Sequence, residues 1–277
     1  MINADLHCHS TYSDGVLAPA DVARRALAGG VSLWSMTDHD EVAGQREARA
    51  AAESLGMRYV EGVEISVTWA DRTIHVVGLA IDSTHRALVE GLAATRGGRD
   101  GRGKVIADKL ADVGIEGAYE GALQYAANPA LLSRTHFARF LVEHGYCEST
   151  SEVFARYLAE GRPGYVPHLW ATLEDAMGWI RGAGGVPVIA HPGRYKYSQL
   201  EFGALFDAFR DLGGDAIEVV TGSHTPDQCH EYADVARRYG FRASRGSDFH
   251  APGEIRTELG ALPMLPSDLT PVWRDWQ

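Results

Sequence analysis

His7 and His9 stand two residues apart at the end of the apolar run 1–6. In a strand alternate side chains share a face, so the two imidazoles point one way while Leu6 and Cys8 point the other. Two imidazoles meeting at one point, with Asp14 close behind, make a candidate metal site; taken alone the pair also reads as a polar strand end. The arrangement recurs along the chain. Further short apolar runs end in, or lead to, His39, Glu64, His75, His191 and the pair Asp248 and His250. Singly these have ordinary readings: a turn for Asp248 and His250, a satisfied core histidine for His75, a loop charge for Glu64. Jointly they do not, because nine such groups at one end of a fold are costly to desolvate without a compensating cation. The mixture of nitrogen and oxygen donors suits zinc, manganese or iron, and it exceeds what one four-coordinate ion needs.

The elements that must carry these groups alternate. Strand-like runs at 1–6, 31–36, 57–60 and 73–79 are separated by helical patterns at 18–29 and 42–55. The alternation resumes after residue 163 with strands at 186–190, 216–220 and 241–244. Seven short strands alternating with helices predict an α/β sheet or barrel of parallel strands, in which the loops following the strands share one face. Glu64 then lies just beyond the third strand. Between 85 and 163 only helical patterns occur, punctuated by Gly, Asn and Pro. The expected organisation is therefore a barrel formed by 1–84 and 164–277, interrupted by a helical insertion at 85–163.

The insertion carries a cationic, Gly-rich stretch from Arg96 to Lys104, read as a loop that opens a helix. Glycines let a backbone approach an anion and arginine forks suit phosphate, so Arg99, Asp100, Gly101 and Arg102 are candidate substrate contacts. A flexible solvated loop is the plainer alternative. The stretch nearly matches a phosphate-binding P-loop, but Val105 stands where the metal-binding Ser or Thr is needed and residues 87–95 read as helix rather than strand. Arg134, at a later helix start, and Arg194, just after His191, are further candidate anion contacts.

Composition narrows the function classes. The chain has 277 residues, 45% of them hydrophobic, enough for one large domain. A formal net charge of −11 speaks against a duplex DNA-binding surface, yet leaves a small anionic substrate open if carboxylates hold metal ions and a few arginines are placed at the site. No apolar run is long enough to span a membrane, and the first residues lack the pattern of a signal peptide. A cytoplasmic protein is expected. Three cysteines without Cys-x-x-Cys spacing fit a reducing compartment and argue against a thiolate zinc site. His85, His136, His144, His168, His224 and His230 read as surface or locally hydrogen-bonded residues, and Trp34, Trp69, Trp170 and Trp179 as core or rim packing. No protein partner is evident.

Five segments in order, Asp5-Leu6-His7-Cys8-His9-Ser10, Thr37-Asp38-His39-Asp40, Gly62-Val63-Glu64-Ile65, Ala190-His191-Pro192 and Gly246-Ser247-Asp248-Phe249-His250, resemble the PHP superfamily of polymerase-associated and histidinol phosphatase domains. The resemblance implies a distorted (β/α)7 barrel and up to three divalent ions. By resemblance His7, His9, Glu64 and Asp248 hold a first ion, Glu64 bridges to a second held by His75 and His191, and Asp14, His39 and His250 hold a third. An oxygen donor at Asp14, where some relatives carry His, favours manganese or magnesium there. Asp5, Asp38 and Asp40 are expected to orient the imidazoles.

Such a site attracts phosphate, since three divalent ions carry twice the charge of three carboxylates. It offers a metal-bound hydroxide to attack phosphorus, with Asp14, His39, Glu64, His191 and Asp248 as the catalytic set. Within the superfamily, a single barrel with an insertion of this size resembles the branch of 3',5'-nucleoside bisphosphate phosphatases and the related 5'-3' exonucleases. That implies a small phosphorylated nucleotide as substrate, or short RNA. Histidinol phosphate hydrolysis and a non-catalytic metal-binding module are the alternatives. The first gives the arginines no purpose, and the second leaves the complete ligand set unexplained.

Overall fold

The computed structural model describes residues 2–126, 128–253 and 257–276, and the backbone alone at Asp100. Eight strands occur among the described residues. In chain order the first half comprises β1 (Ala4–Asp5), α1 (Pro19–Ala28), β2 (Leu33–Trp34), α2 (Gln45–Ser54), β3 (Arg58–Tyr59), β4 (Gly62–Trp69) and β5 (Arg72–Leu79). Helices α3 (Arg86–Arg96), α4 (Arg99–Ala111), α5 (Ala118–Leu123), α6 (Arg134–Glu143) and α7 (Thr150–Val153) follow, the last running into a π-helical turn over Phe154–Leu158. The alternation then returns with α8 (Leu173–Gly182), β6 (Val186–Ile189), α9 (Gln199–Asp211), β7 (Ala216–Thr221), α10 (Pro226–Tyr239) and β8 (Arg242–Gly246).

Strands β1, β2 and β3 form a parallel sheet, and β4 to β8 form a second in sequence order. In the second sheet β4–β5 and β5–β6 pair antiparallel, while β6–β7 and β7–β8 pair parallel. The sheets meet at both edges. On one side the Leu6 amide donates to the Arg245 carbonyl and Cys8 bridges to Phe249; on the other His39 bridges to Glu64. Gly246 is required at the first seam, because a Cβ there would lie 2.2 Å from that of His7.

The α/β architecture stands, but β4 is a strand the sequence pattern did not mark, and the sheet is mixed rather than all parallel. The β4–β5 hairpin turns through Ala70 and Asp71, both at positive φ. A two-residue turn of that kind is normally announced by Asn-Gly or Asp-Gly, so Ala-Asp conceals it. The cationic stretch also differs from its reading as a loop: α3 continues to Arg96, Gly97 and Gly98 make the break, and Arg99 to Lys104 form the first turns of α4.

Helices pack by their apolar faces. Leu88 and Leu92 of α3 join Met177 and Ile180 of α8 and the strand residues Ile65, Val76 and Ile189 in the main core. Helices α4 to α7 surround a separate apolar cluster with Phe137, Leu141 and Leu110 at its centre. The later helices are sharply delimited: α9 and α10 begin in capping boxes, Ser198 with Glu201 and Thr225 with Gln228, and α10 ends at the left-handed Gly240. No helix among the described residues is long and apolar enough to cross a membrane.

Candidate metal centre

Most donors stand just beyond strand ends, but Glu64, expected beyond a strand, and His75 lie inside β4 and β5. The Nε2 atoms of His7 and His9, on the segment that follows β1, are 3.2 Å apart. Glu64 Oε2 lies 3.1 Å from His7 Nε2, 3.2 Å from His9 Nε2 and 3.1 Å from His39 Nδ1. Its other oxygen, Oε1, is 2.9 Å from His75 Nδ1 and 2.8 Å from His191 Nε2, and those two nitrogens are 3.3 Å apart. Asp248 Oδ1 is 3.2 Å from His9 Nε2 and 3.5 Å from His7 Nε2. On the far side of His9, Asp14 Oδ1 approaches His250 Nε2 at 3.3 Å and His39 Nε2 at 3.9 Å. All nine donors expected from the sequence thus fall in one contiguous cluster.

Backbone strain accompanies this convergence. His191 and Asp248 are non-glycine residues at positive φ, 27° and 56°. Such conformations persist only where surrounding contacts impose them, and they concentrate at functional sites. Here the Asp248 amide donates to the His7 carbonyl, and the His191 amide to Glu218.

The electrostatics are those of a site made for cations. Burial pushes the Glu64 carboxyl up, but the imidazoles of His7, His39 and His75 and the hydrogen bond from His191 hold it well below the usual carboxylate range. Asp248 is likewise lowered against burial, by His7, Arg194 and His9, and Asp14 by His250, His39 and His9. Burial opposes charge on His9, yet its bond to Asp248 and the neighbouring charges of Glu64 and Asp14 raise it to about 10. His191 goes the other way, to about 4, through burial and the nearby Arg194, so it is a neutral donor. Three charged carboxylates therefore share one buried volume with imidazoles, of which His9 is held protonated and His39 and His191 neutral.

Divalent ions fit this donor set. Glu64 Oε2, Asp14 Oδ1 and His39 Nδ1 are buried with no hydrogen-bond partner, although each faces other donor atoms at close range. Oxygen and imidazole ligands about 2.0–2.2 Å from a common ion lie about 3.0–3.5 Å from one another, close to the spacings observed. Three overlapping groups have donor atoms all within 4.8 Å: His7, His9, Glu64 and Asp248; His39, Glu64 and His75; and His9, Asp14, His39 and His250.

The groups that orient the donors differ from those expected. Asp5 accepts from the amides of Ser247 and Gly260, Asp38 from the amide and hydroxyl of Ser10 and from Ser13, and Asp40 from Ser66 and Arg99. Asp5 and Asp38 hold loop groups and Asp40 ties β4 to α4; the nearest of them to an imidazole is Asp38, through Ser13, whose hydroxyl lies 3.5 Å from His9 Nδ1. The imidazole partner is Glu218, whose Oε1 is 2.8 Å from His7 Nδ1, while its Oε2 accepts the His191 amide at 2.6 Å. That contact aims Nε2 of His7 at the cluster, where a bound ion would take the place of a proton. Sequence reasoning missed Glu218; the available signal was one carboxylate inside a strand that is otherwise apolar and buried on both faces.

A cavity of about 120 Å³ opens beside Asp14, His39, His75 and His250, and its far walls are Arg99, Arg102, Arg134 and Arg194. Arg99 is buried and paired with Asp40, and both Arg99 and Arg102 lie over the Trp170 ring. Trp170 is therefore a platform for cations as well as rim packing. Burial, with Arg134 and Arg99 alongside, pulls the Arg102 guanidinium down to about 9. Arg134 reaches the Leu158 carbonyl in the π-helical turn and lies over Phe154. Arg194 donates to Asp248 Oδ2 at 2.6 Å, on a turn fixed by His224, which accepts the Gly193 amide. Gly101 is on the exposed side of α4, away from this cavity, and the Asp100 side chain lies outside the described residues.

The insertion also touches the donors. Ser133 donates to Asp14 Oδ2 at 3.2 Å, and its amide donates to Nδ1 of His136, which is fully buried rather than on the surface. Burial lowers His136 to about 4, so it is neutral.

Comparison with known proteins agrees with this geometry. Residues 5–158 match the PHP domain family. The chain is 48% identical over 275 residues, 99% of its length and 96% of the relative's, to a 3',5'-nucleoside bisphosphate phosphatase of Chromobacterium violaceum. It is 42% identical, over 99% of its length and 93% of the relative's, to the 5'-3' exoribonuclease Rnm of Salmonella typhimurium. Among solved structures, a Chromobacterium violaceum amidohydrolase with bound sulfate and no metal superimposes with a TM-score of 0.96 at 48% identity, covering 98% of this chain and 95% of that one. With its donor segments in order and the match extending over most of its length, the chain belongs to the PHP domain family.

Proposed function

We propose that this protein is a metal-dependent phosphatase that removes the 3'-phosphate from nucleoside 3',5'-bisphosphates, converting adenosine 3',5'-bisphosphate to AMP and phosphate. The observation that carries the reading is the adjacency of two unlike sites: nine nitrogen and oxygen donors, and a cavity walled by four arginines. One site suits the phosphoryl group that reacts, the other a second phosphate that anchors the molecule. The 48% identical relative bears the name of this activity.

In this reading three divalent ions, manganese foremost, are held by His7, His9, Glu64 and Asp248, by Glu64, His75 and His191, and by Asp14, His39 and His250. Bound divalent ions supply an activated water and neutralise charge on the phosphoryl oxygens. The chain's residues do the rest. Arg102 and Arg134 bind the 5'-phosphate, with Arg99 held between Asp40 and Trp170 to complete that pocket. Arg194, shared between Asp248 and the cavity, faces the phosphoryl group. Segment 85–163 selects the substrate. Histidinol phosphate, with one phosphate and an amine, would leave the half-buried Arg102 and Arg134 beside each other without an anion.

The test is product identification after incubating manganese-loaded protein with adenosine 3',5'-bisphosphate, beside a chelator-treated control. AMP and phosphate from the loaded protein alone support the reading. Unchanged bisphosphate with metal bound would sink it.

A further inference from the structure

The three groups of donors differ in what holds them. His7 and His191 are supported from within the barrel by Glu218, and Asp248 by Arg194 and the His7 carbonyl. The group of His9, Asp14, His39 and His250 is held partly from the insertion. On the loop after β1, the Ser133 hydroxyl donates to Asp14 Oδ2 at 3.2 Å, and the buried Arg139 donates to the Asp14 carbonyl at 2.7 Å. On the loop after β2, Arg96 donates to the Asp40 carbonyl and Arg99 pairs with the Asp40 carboxylate, one residue beyond His39. Two donors of this group, Asp14 and His39, therefore stand on loops clamped by α3, α4 and α6.

The same helices wall the arginine cavity. Arg134 follows Ser133 directly at the start of α6, and Arg99 opens α4; both side chains line the cavity. The contact on Asp14 also has a direction. Ser133 occupies Oδ2, so Oδ1 turns to His250 and His39 and is buried without a hydrogen-bond partner among the described residues. His136 Nδ1 already accepts the Ser133 amide at 3.0 Å, which leaves the hydroxyl proton to Asp14.

We infer that Ser133 is a positioning residue that couples the two sites: a 5'-phosphate on Arg134 orders the start of α6, which sets Asp14 for the ion held with His39 and His250, and that ion in turn tightens the 5'-phosphate pocket. The coupling rests on the metal and phosphate placements proposed above and deepens them. Linkage makes it reciprocal, with affinity changes commonly of about 5- to 150-fold. Groups that hold a ligand without touching the ion typically change metal affinity by about 10- to 100-fold. Attraction between ion and phosphate through space would also raise both affinities, but it does not need the Ser133 hydroxyl. The consequence for substrate choice is that a 3'-monophosphate, lacking the anchoring group, meets a site whose third ion is weakly held.

Manganese binding is measured by equilibrium dialysis and elemental analysis, without ligand, with AMP, and with adenosine, which lacks the anchoring phosphate. The unaltered protein is compared with Ser133→Ala and with Ser133→Thr, which keeps the hydroxyl, after their metal-free melting temperatures are matched. Asp14→Asn marks which bound ion belongs to this group. The expected result is that AMP, and not adenosine, tightens that ion by about fivefold or more. Ser133→Ala should weaken the same ion by about tenfold or more and abolish the effect of AMP, and Ser133→Thr should restore both. If AMP leaves that ion unchanged in the unaltered protein, if Ser133→Ala keeps the full effect of AMP, or if Ser133→Thr restores nothing, the positioning role is overturned and the phosphatase reading survives. If the unaltered protein binds no manganese, the metal-dependent reading itself fails and takes the coupling with it.

Discussion

Arg102 is the residue whose environment speaks most directly to substrate. It donates to the Val166 carbonyl, stacks on Trp170 and lies near Arg99 and Arg134. Such crowding is unfavourable unless an anion relieves it. A hydrogen bond to a charged group contributes about 1.5–3 kcal/mol. Arg102→Ala should therefore lower kcat/KM for adenosine 3',5'-bisphosphate by about ten- to a hundredfold, with far less effect on 3'-AMP, which lacks the second phosphate. Steady-state kinetics on the two substrates will show whether the loss is selective; an equal loss on both would place Arg102 outside the 5'-phosphate pocket. Glu218 makes the complementary case. It touches the cluster only through His7 and the His191 amide, so Glu218→Gln should weaken metal binding by about ten- to a hundredfold, as such supporting carboxylates typically do. Competition with a chromophoric chelator measures this without reference to turnover.

At the scale of elements, the site depends on how closely two strand ends can meet. β1 and β8 approach so tightly that only glycine fits at Gly246, whose added Cβ would meet the Cβ and backbone of His7. Gly246→Ala should displace His7 and lower both folded yield and metal content, measured by circular dichroism and elemental analysis. The insertion has its own mechanical basis. Phe137 is fully buried in the cluster formed by α4 to α7, one helical turn from Arg134. Phe137→Ala should cost about 3–5 kcal/mol in denaturant unfolding, the usual range for truncating a buried aromatic. Because α6 also carries Ser133 and Arg134 at its start, the variant should bind the bisphosphate more weakly even at temperatures where it remains folded.

At the scale of the whole molecule, donors from widely separated segments lock the two sheets to each other. Metal binding should accordingly stabilise the fold as a unit. Manganese at a hundred times its dissociation constant adds about 2.7 kcal/mol, which would appear as a rise in melting temperature that a chelator reverses. His7→Ala should remove most of that rise. A melting temperature indifferent to manganese in the unaltered protein would count against the cluster as a metal centre.

Much of this was legible from residue types and spacing. The pair His7 and His9, the recurrence of donors after apolar runs, the helical interruption and the arginines of 96–134 follow from strand periodicity, composition and charge, which are local properties. Tertiary structure decided what local pattern cannot carry. β4 was hidden because its hairpin turns through Ala70 and Asp71 at positive φ, without the glycine that usually marks such a turn. Glu218 was hidden because a single carboxylate in a buried strand acquires meaning only when His7, some two hundred residues earlier, is folded against it. Asp5, Asp38 and Asp40 lie near histidines in sequence, yet their carboxylates are taken up by Ser247 and Gly260, by Ser10 and Ser13, and by Ser66 and Arg99, partners that only the folded chain brings alongside. The chain specifies which chemical groups are present and roughly where each strand ends. Only the packing of the two sheets and the insertion decides which of those groups share a point in space.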